Sequence, residues 1–407
     1  MEIKELTRKT YIEINLDHLE ENVQSILKEY PDYKYYIGVV KGNVYGHGDY
    51  AVEAMIKSGV NYLAVSSLEE ALNIRLLYQE IPVLCLEPIS LDHVQKAIEK
   101  DITLTVSNLD YAKKLAEIIS NPKMKIHLKI NSGMNRLGFQ NQEELEEAVK
   151  IIREHYVLEG IFTHLATLGI SDPYYDRQIN TFLKLTENID LKSIPIVHVG
   201  RSLTLIHHPK LSFCNGIRLG ILMYGFNQSP KKDSSIKGKL RTLKANMRIK
   251  KYHISETTLD TNVKVKTAFS LYTEVMEIQN IREGESTGYG VSYKAKENHK
   301  VAICPIGYAD GFSRRNSGRF VWINTQKYEI IGSVNMGMIQ IKVDDNVKVG
   351  DIVELVGEHI PVTYASNFIG TTPYEYMCMM HEMVPRVYIQ KGQITHILNW
   401  KVDHNEF

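Results

Sequence analysis

The first half of the chain alternates between two hydrophobic rhythms. Short apolar runs of strand length occur at Tyr35–Val40, Tyr62–Val65, Val83–Leu86, Ile102–Val106, Lys125–Ile130, Leu158–His164, Ile194–Val199 and Ile217–Leu219. Between them, apolar residues return every three or four positions, the spacing of a helix with one buried face. In Leu16–Tyr30, for example, Leu19, Val23, Ile26 and Leu27 share a face. Asp17 with Glu20 three residues later has capping-box spacing, and so has Ser67 with Glu70. Further helices are predicted over Asp92–Lys100, Asn108–Ile119, Gln142–Glu154 and Tyr175–Leu185, and Gly59 reads as the glycine that ends a helix.

Eight strands with interleaved helices predict a (β/α)8 barrel. An open, doubly wound sheet is the alternative, but no G-x-G-x-x-G follows the first run. In a barrel the chemistry belongs at the C-terminal strand ends. Lys41 follows the first run, Arg136 the fifth and Ser202 the seventh, while His164 ends the sixth and Arg218 lies in the eighth.

From about Lys239 the helical rhythm fades. Strand-like segments follow at Met247–Ile254, Leu271–Ile278, Lys300–Ile306, Phe320–Asn324, Tyr328–Ile331, Ile339–Val343 and Ile352–Val356, separated by turn signals such as Asn316-Ser317-Gly318. A chain of 407 residues also exceeds what one core holds. The expected division is a barrel over residues 1–230 and a mostly β domain over 239–407, with Phe226–Lys239 as the linker.

Composition narrows the function. Lys+Arg and Asp+Glu both number 48, so no global charge draws the chain to nucleic acid or an anionic membrane. No apolar stretch approaches the ~18–20 residues that span a bilayer. The opening MEIKELTRKTYIEINL is charged throughout, unlike a signal peptide. The four cysteines are far apart with no C-x-x-C pair, which argues against a zinc site or a disulfide scaffold and for the reducing cytosol.

The segment GVVKGNVYGHG, Gly38–Gly48, concentrates the chemistry. It places a lysine at the mouth of the barrel, among glycines that let a ligand approach the backbone. A lysine desolvated there could form a Schiff base. Taken alone, it could equally be a surface lysine in a tight loop.

VVKGNVYGHG resembles the pyridoxal-phosphate lysine motif of the alanine racemase family. The resemblance continues in order through YIEINLDHLEENV, KINSGMNRLGF, THLAT and RLGILMYG. In the second half it covers AFSLYTEV, EGESTGYGVSY, IGYADGF, GSVNMGM, GDIVELVG and the late YEYMC and VPRVY. It implies a pyridoxal 5'-phosphate-dependent racemase, with alanine as default substrate, working as a cytoplasmic homodimer with shared active sites.

By resemblance, Lys41 carries the cofactor and acts as one acid–base group, and Tyr289 of the partner subunit is the opposite base. Tyr45, Ser202 and the backbone of Gly220 and Ile221 would hold the phosphate. Arg218 would face the pyridine nitrogen, with His164 beside it. Arg136 would reach the cofactor's phenolic oxygen and the substrate carboxylate. Met336 and Tyr308 would line the substrate side. Lys129 takes the position of a lysine that is often carbamylated and supports that arginine. The two bases have a physical reason, because racemisation removes a proton from one face of Cα and returns one to the other.

Three departures from the family pattern bear on the substrate. Gly200-Arg201 precedes Ser202 where a small residue and Asn are usual; Gly337 stands where Asp usually follows the methionine; His381 and Glu382 stand where some members have a tyrosine. They leave open a racemase for serine or for larger or basic amino acids. A decarboxylase of the same architecture usually sets Glu against the pyridine nitrogen, which Arg218 argues against. A cofactor-binding module without catalysis would lack the β domain.

Overall fold

In this computed structural model the structure describes residues 6–167, 173–227, 247 and 263–399. Strand β1 (Tyr11–Asn15) leads into the helix Leu16–Glu29. Then β2 (Tyr35–Val39), β3 (Tyr62–Val65), β4 (Val83–Cys85), β5 (Ile102–Val106), β6 (Lys125–Lys129), β7 (Val157–Phe162), β8 (Ile196–Arg201) and β9 (Gly216–Leu219) close into a barrel. All neighbours are parallel, and β2 pairs with β9 at Ile37↔Arg218 to complete the ring. Helices such as Leu109–Ile118 and Gln142–His155 cover the outside, so β3, β4 and β5 are buried at every residue. That two-sided burial is why these strands read as runs rather than as alternation.

The second half builds a sheet of the other kind. It consists of β10 (Phe269–Glu274), β11 (Glu277–Ile281), β14 (His299–Cys304), β15 (Phe320–Ile323), β16 (Gln326–Ile331), β17 (Ile339–Val343), β18 (Ile352–Val356), β19 (Arg386–Gln390), β20 (Gln393–Leu398) and β1, in the order β11-β14-β17-β16-β15-β18-β10-β1-β19-β20. The short β12 (Ser286–Thr287) and β13 (Tyr293–Lys294) pair apart from it. β10 alternates buried and half-buried residues, as a strand with one covered face does.

β1 was not evident in the apolar pattern. It pairs antiparallel with β10 and parallel with β19. Accordingly, the described parts of Met1–Leu19, Asn43–Ala54 and Thr267–Phe407 form one compact unit, and Glu20–Gly42 with Met55–Lys266 the other. The units therefore do not follow the consecutive 1–230 and 239–407 segments expected from the sequence. The reason is pairing: a strand belongs to whichever sheet completes its hydrogen bonds.

Other local expectations are corrected too. The first helix is capped by Asn15, whose Oδ1 accepts His18 N–H at 3.0 Å. Asp17 instead accepts Lys391 N–H at 2.6 Å. The segment Leu271–Ile278 is two strands, because Val275 N–H turns to Asp351 O and Met276 N–H to Ile303 O. Ser67 does cap its helix, accepting Glu70 N–H at 3.3 Å. The linker from residue 228 onward and the segment Met247–Ile254, apart from Met247, lie outside the described residues. Among the described residues, no helix is long and apolar enough to cross a membrane, and no group of three or more His, Cys, Asp and Glu side chains could hold a metal.

Candidate active site

β2 ends at Val39, and Lys41 begins a single helical turn, Lys41–Tyr45. The turn is left-handed: φ is +64° at Gly42, +51° at Asn43, +54° at Val44, +53° at Tyr45 and +82° at Gly46. Each non-glycine residue in this conformation costs roughly 1–2 kcal/mol, so the strain is held by the surroundings. Gly46 is required, since a Cβ there would lie 2.3 Å from Met377 O. Gly42 N–H donates to Glu70 Oε1 at 2.6 Å, and Glu70 Oε2 accepts both N–H and O–H of Ser66 at 2.8 Å. Glu70 was legible in the sequence only as the third residue of a capping box. Its carboxylate serves the lysine turn instead.

Arg218 projects from β9 into the barrel, 3% exposed. Its Nη1 donates to His198 Nδ1 and His198 O, both at 2.7 Å, and its Nη2 to Thr163 O at 2.7 Å and Val199 O at 3.0 Å. Burial draws it down to about 9, still charged at neutral pH. The guanidinium also lies over the Phe162 ring, 5.4 Å from the centroid.

Around Arg218 the structure gathers other residues expected at the site. Lys129, at the end of β6, is buried, with Nζ 3.3 Å from Leu86 O and 5.5 Å from the Phe162 centroid. Burial, then the charges of Arg136 and Arg218, lower it to about 8, and Glu87 opposes them. His164 is lowered to about 2 by burial and by Arg218, Arg201, Arg136 and Lys129, and is neutral at any physiological pH. Arg136 is exposed, in the loop that Asn131 Oδ1 folds by accepting Gly133 N–H and Asn135 N–H. Arg201 ends β8 and donates to Thr167 O. Ser202 starts the helix Ser202–His207, and its Oγ accepts Gly220 N–H at 2.8 Å, which brings Ser202, Gly220 and Ile221 together. Tyr45, at the end of the left-handed turn, is half-buried and belongs to the unit that holds the sheet.

The remaining expected residues lie in the sheet unit. Tyr289 is 76% exposed on a turn between Gly288 and Gly290, both with positive φ. Tyr308 and Met336 are also exposed and lie on adjoining loops: Tyr308 N–H donates to Asn335 O at 3.0 Å and Ala309 N–H to Met336 O at 2.9 Å. Gly337 faces open space, with nothing within 4 Å of a Cβ placed there. Glu382 is exposed, and its charge acts on buried Arg386.

His207 and His208 are both buried, and His208 stacks on Tyr175 with centroids 3.7 Å apart. His198, absent from the residues expected at the site, is the direct partner of Arg218.

The comparisons agree with this geometry. Residues 14–228 match the family model for the N-terminal domain of alanine racemase, and residues 268–388 that for its C-terminal domain. The chain belongs to the alanine racemase family. Among members of the family, it is 33% identical over 406 residues to an alanine racemase of Halalkalibacterium halodurans, covering 96% of this chain and 98% of that one. It is 34% identical over 412 residues to alanine racemase 2 of Caldanaerobacter subterraneus subsp. tengcongensis, covering 97% and 98%. A crystal structure of alanine racemase from Bacillus anthracis with bound L-Ala-P superposes with a TM-score of 0.84 at 29% identity, covering 98% of this chain and 99% of that one. As in this family, the barrel and the β domain occur together in one chain.

Proposed function

We propose that this chain is a pyridoxal 5'-phosphate-dependent racemase that interconverts L- and D-alanine, working as a cytoplasmic homodimer. One observation carries the reading: Lys41, Lys129, Arg136, Arg201 and Arg218 converge on the barrel mouth, and Glu87 is the acid acting on Lys129. Such a donor set asks for an anionic ligand. The residues fit a flat phosphorylated one. Ser202 Oγ and Gly220 N–H form one edge, neutral His164 another, and Arg218 is held rigid by four acceptors.

When bound, the cofactor supplies the electron sink that makes the Cα proton of an amino acid removable. The chain does the rest. Lys41 Nζ holds the cofactor and exchanges a proton at Cα on one face. The hydroxyl of Tyr289 of the partner subunit exchanges it on the other, and the exposure of Tyr289 suits a residue that completes a neighbour's site. Arg218 keeps its proton and would leave the cofactor's ring nitrogen unprotonated, which would restrain the sink and favour proton exchange over side reactions. Arg136 would take the substrate carboxylate as a bidentate partner. D-Alanine made this way would serve cell-wall synthesis.

The test is incubation of the cofactor-loaded protein with a panel of L-amino acids, followed by chiral chromatography. D-Alanine is the expected product. An amine would mean a decarboxylase, a different D-amino acid a racemase of other specificity, and unchanged substrate a binding module.

A further inference from the structure

Behind Arg218 the barrel interior carries a line of polar side chains. Arg218 Nη1 meets His198 Nδ1 at 2.7 Å; His198 Nε2 meets His127 Nδ1 at 2.9 Å; His127 Nε2 meets Glu159 Oε2 at 3.1 Å. Tyr62 OH donates to the same Glu159 oxygen at 2.7 Å and lies 2.8 Å from Thr103 Oγ1. Both histidines are fully buried. His198 is stacked on Phe162, with centroids 4.6 Å apart and planes 12° from parallel. The His127 ring lies where residue 160 has no side chain: a Cβ on Gly160 would fall 2.4 Å from it.

Each contact admits one proton, and the two ends dictate where the protons sit. A guanidinium only donates, so His198 Nδ1 must be bare. A carboxylate only accepts, so His127 Nε2 must carry hydrogen. A neutral imidazole has one N–H, so His198 bears its own on Nε2 and donates it to the bare Nδ1 of His127. A positive charge on either ring would set two N–H groups against each other. The low-dielectric surroundings also favour neutral rings: burial lowers both histidines, although Glu159 pulls His127 the other way. Glu159 keeps its charge; burial raises its carboxyl, but His127, Tyr62 and Lys125 together bring it below its usual value.

We propose that Glu159 is a positioning residue: through His127 and His198 it holds Arg218 in one orientation at the ring nitrogen of the cofactor. The role at the cofactor rests on the racemase reading; the one-way proton order does not. Stability alone does not call for such a chain, because buried polar arrays are often no more stable than apolar residues of the same volume. What a single proton order adds is one defined placement of the arginine.

The test uses the cofactor-loaded protein with 15N-labelled histidine. In the wild type, His198 and His127 should each show a protonated Nε2 and a bare Nδ1. A protonated Nδ1 on His198 overturns the proposal whatever the variants do. Glu159→Leu should mix the tautomers, shift the cofactor's visible absorption band and lower kcat at least tenfold with KM within threefold. Tyr62→Phe, which touches the same oxygen but leaves the His127 contact, should change none of these. A single unchanged tautomer or an unmoved cofactor band in Glu159→Leu overturns the proposal, as does an equal effect of Tyr62→Phe. Wild-type protein with the expected tautomers but without racemase activity would instead count against the functional reading.

Discussion

Gly42 N–H donates to Glu70 Oε1 at 2.6 Å, so a carboxylate on the neighbouring helix fastens the strained turn that begins with Lys41. The same carboxylate holds Ser66 by two further bonds. Glu70→Ala removes all three acceptor contacts. Loss of about 1–3 kcal/mol is expected, the cost of donors left without partners. Cofactor should also dissociate faster as Lys41 loses its fixed approach. Chemical denaturation and absorbance-monitored dialysis measure the two effects; an unchanged cofactor off-rate would show that the turn holds itself.

Lys129 sits near 8, well below the ordinary range of a lysine. Its charge is therefore disfavoured in the folded state. That cost is fully present below about 8 and fades as pH rises towards the unfolded value near 10.4. The contribution of Lys129 to stability should rise with pH across this window, and Lys129→Met should flatten that part of the curve. The neutral amine, about one in ten at pH 7, is also the form that takes up carbon dioxide. With 13C-bicarbonate, a carbamate signal should grow as pH rises through 8 and be absent in Lys129→Met.

Lys41 and Tyr289 are assigned to opposite faces of one substrate, from different chains. Borohydride reduction and peptide mapping should place the cofactor label on Lys41. Lys41→Ala and Tyr289→Phe should each abolish racemisation. Mixed after subunit exchange, the two inactive proteins should regain activity, because one of the two shared sites in each heterodimer is intact. Confirmed exchange without recovered activity would exclude shared sites.

Gly337 leaves open space beside Met336, where an aspartate is usual in the family. A pocket discriminates one methylene by only ~1–3 kcal/mol, so an opened one should accept side chains larger than methyl. Gly337→Asp should raise the kcat/KM ratio of L-alanine over L-serine and L-ornithine. Glu382→Tyr probes the departure at Glu382 with the same substrates. If alanine dominates by more than ~100-fold, about 2.7 kcal/mol, in the wild type and both variants, the broadened pocket is excluded.

Much of the barrel was legible because its signal is local. Buried parallel strands make continuous apolar runs, and each is followed within a few residues by a helix of period 3.6. β1 escaped notice because Tyr11–Asn15 becomes a strand only when β10 and β19 arrive from more than 250 positions away. Asp17 and Asn15 show the same limit at smaller scale. Both residue types cap helices, and the choice went to Asn15 once Lys391 N–H engaged Asp17.

The sequence by itself determined the two hydrophobic rhythms, the lysine after the first barrel strand and the ordered segments that resemble one family, since each depends on neighbours along the chain. Only the tertiary structure decided that Glu70 would grip Gly42, that Ser202 would meet Gly220, and that His127 and His198 would stand 2.9 Å apart although 71 positions separate them. Those pairings follow from strands β2 to β9 curving into one closed barrel. Closure brings inward-facing residues of distant strands to hydrogen-bonding distance, and no periodicity within a single strand encodes which ones will meet.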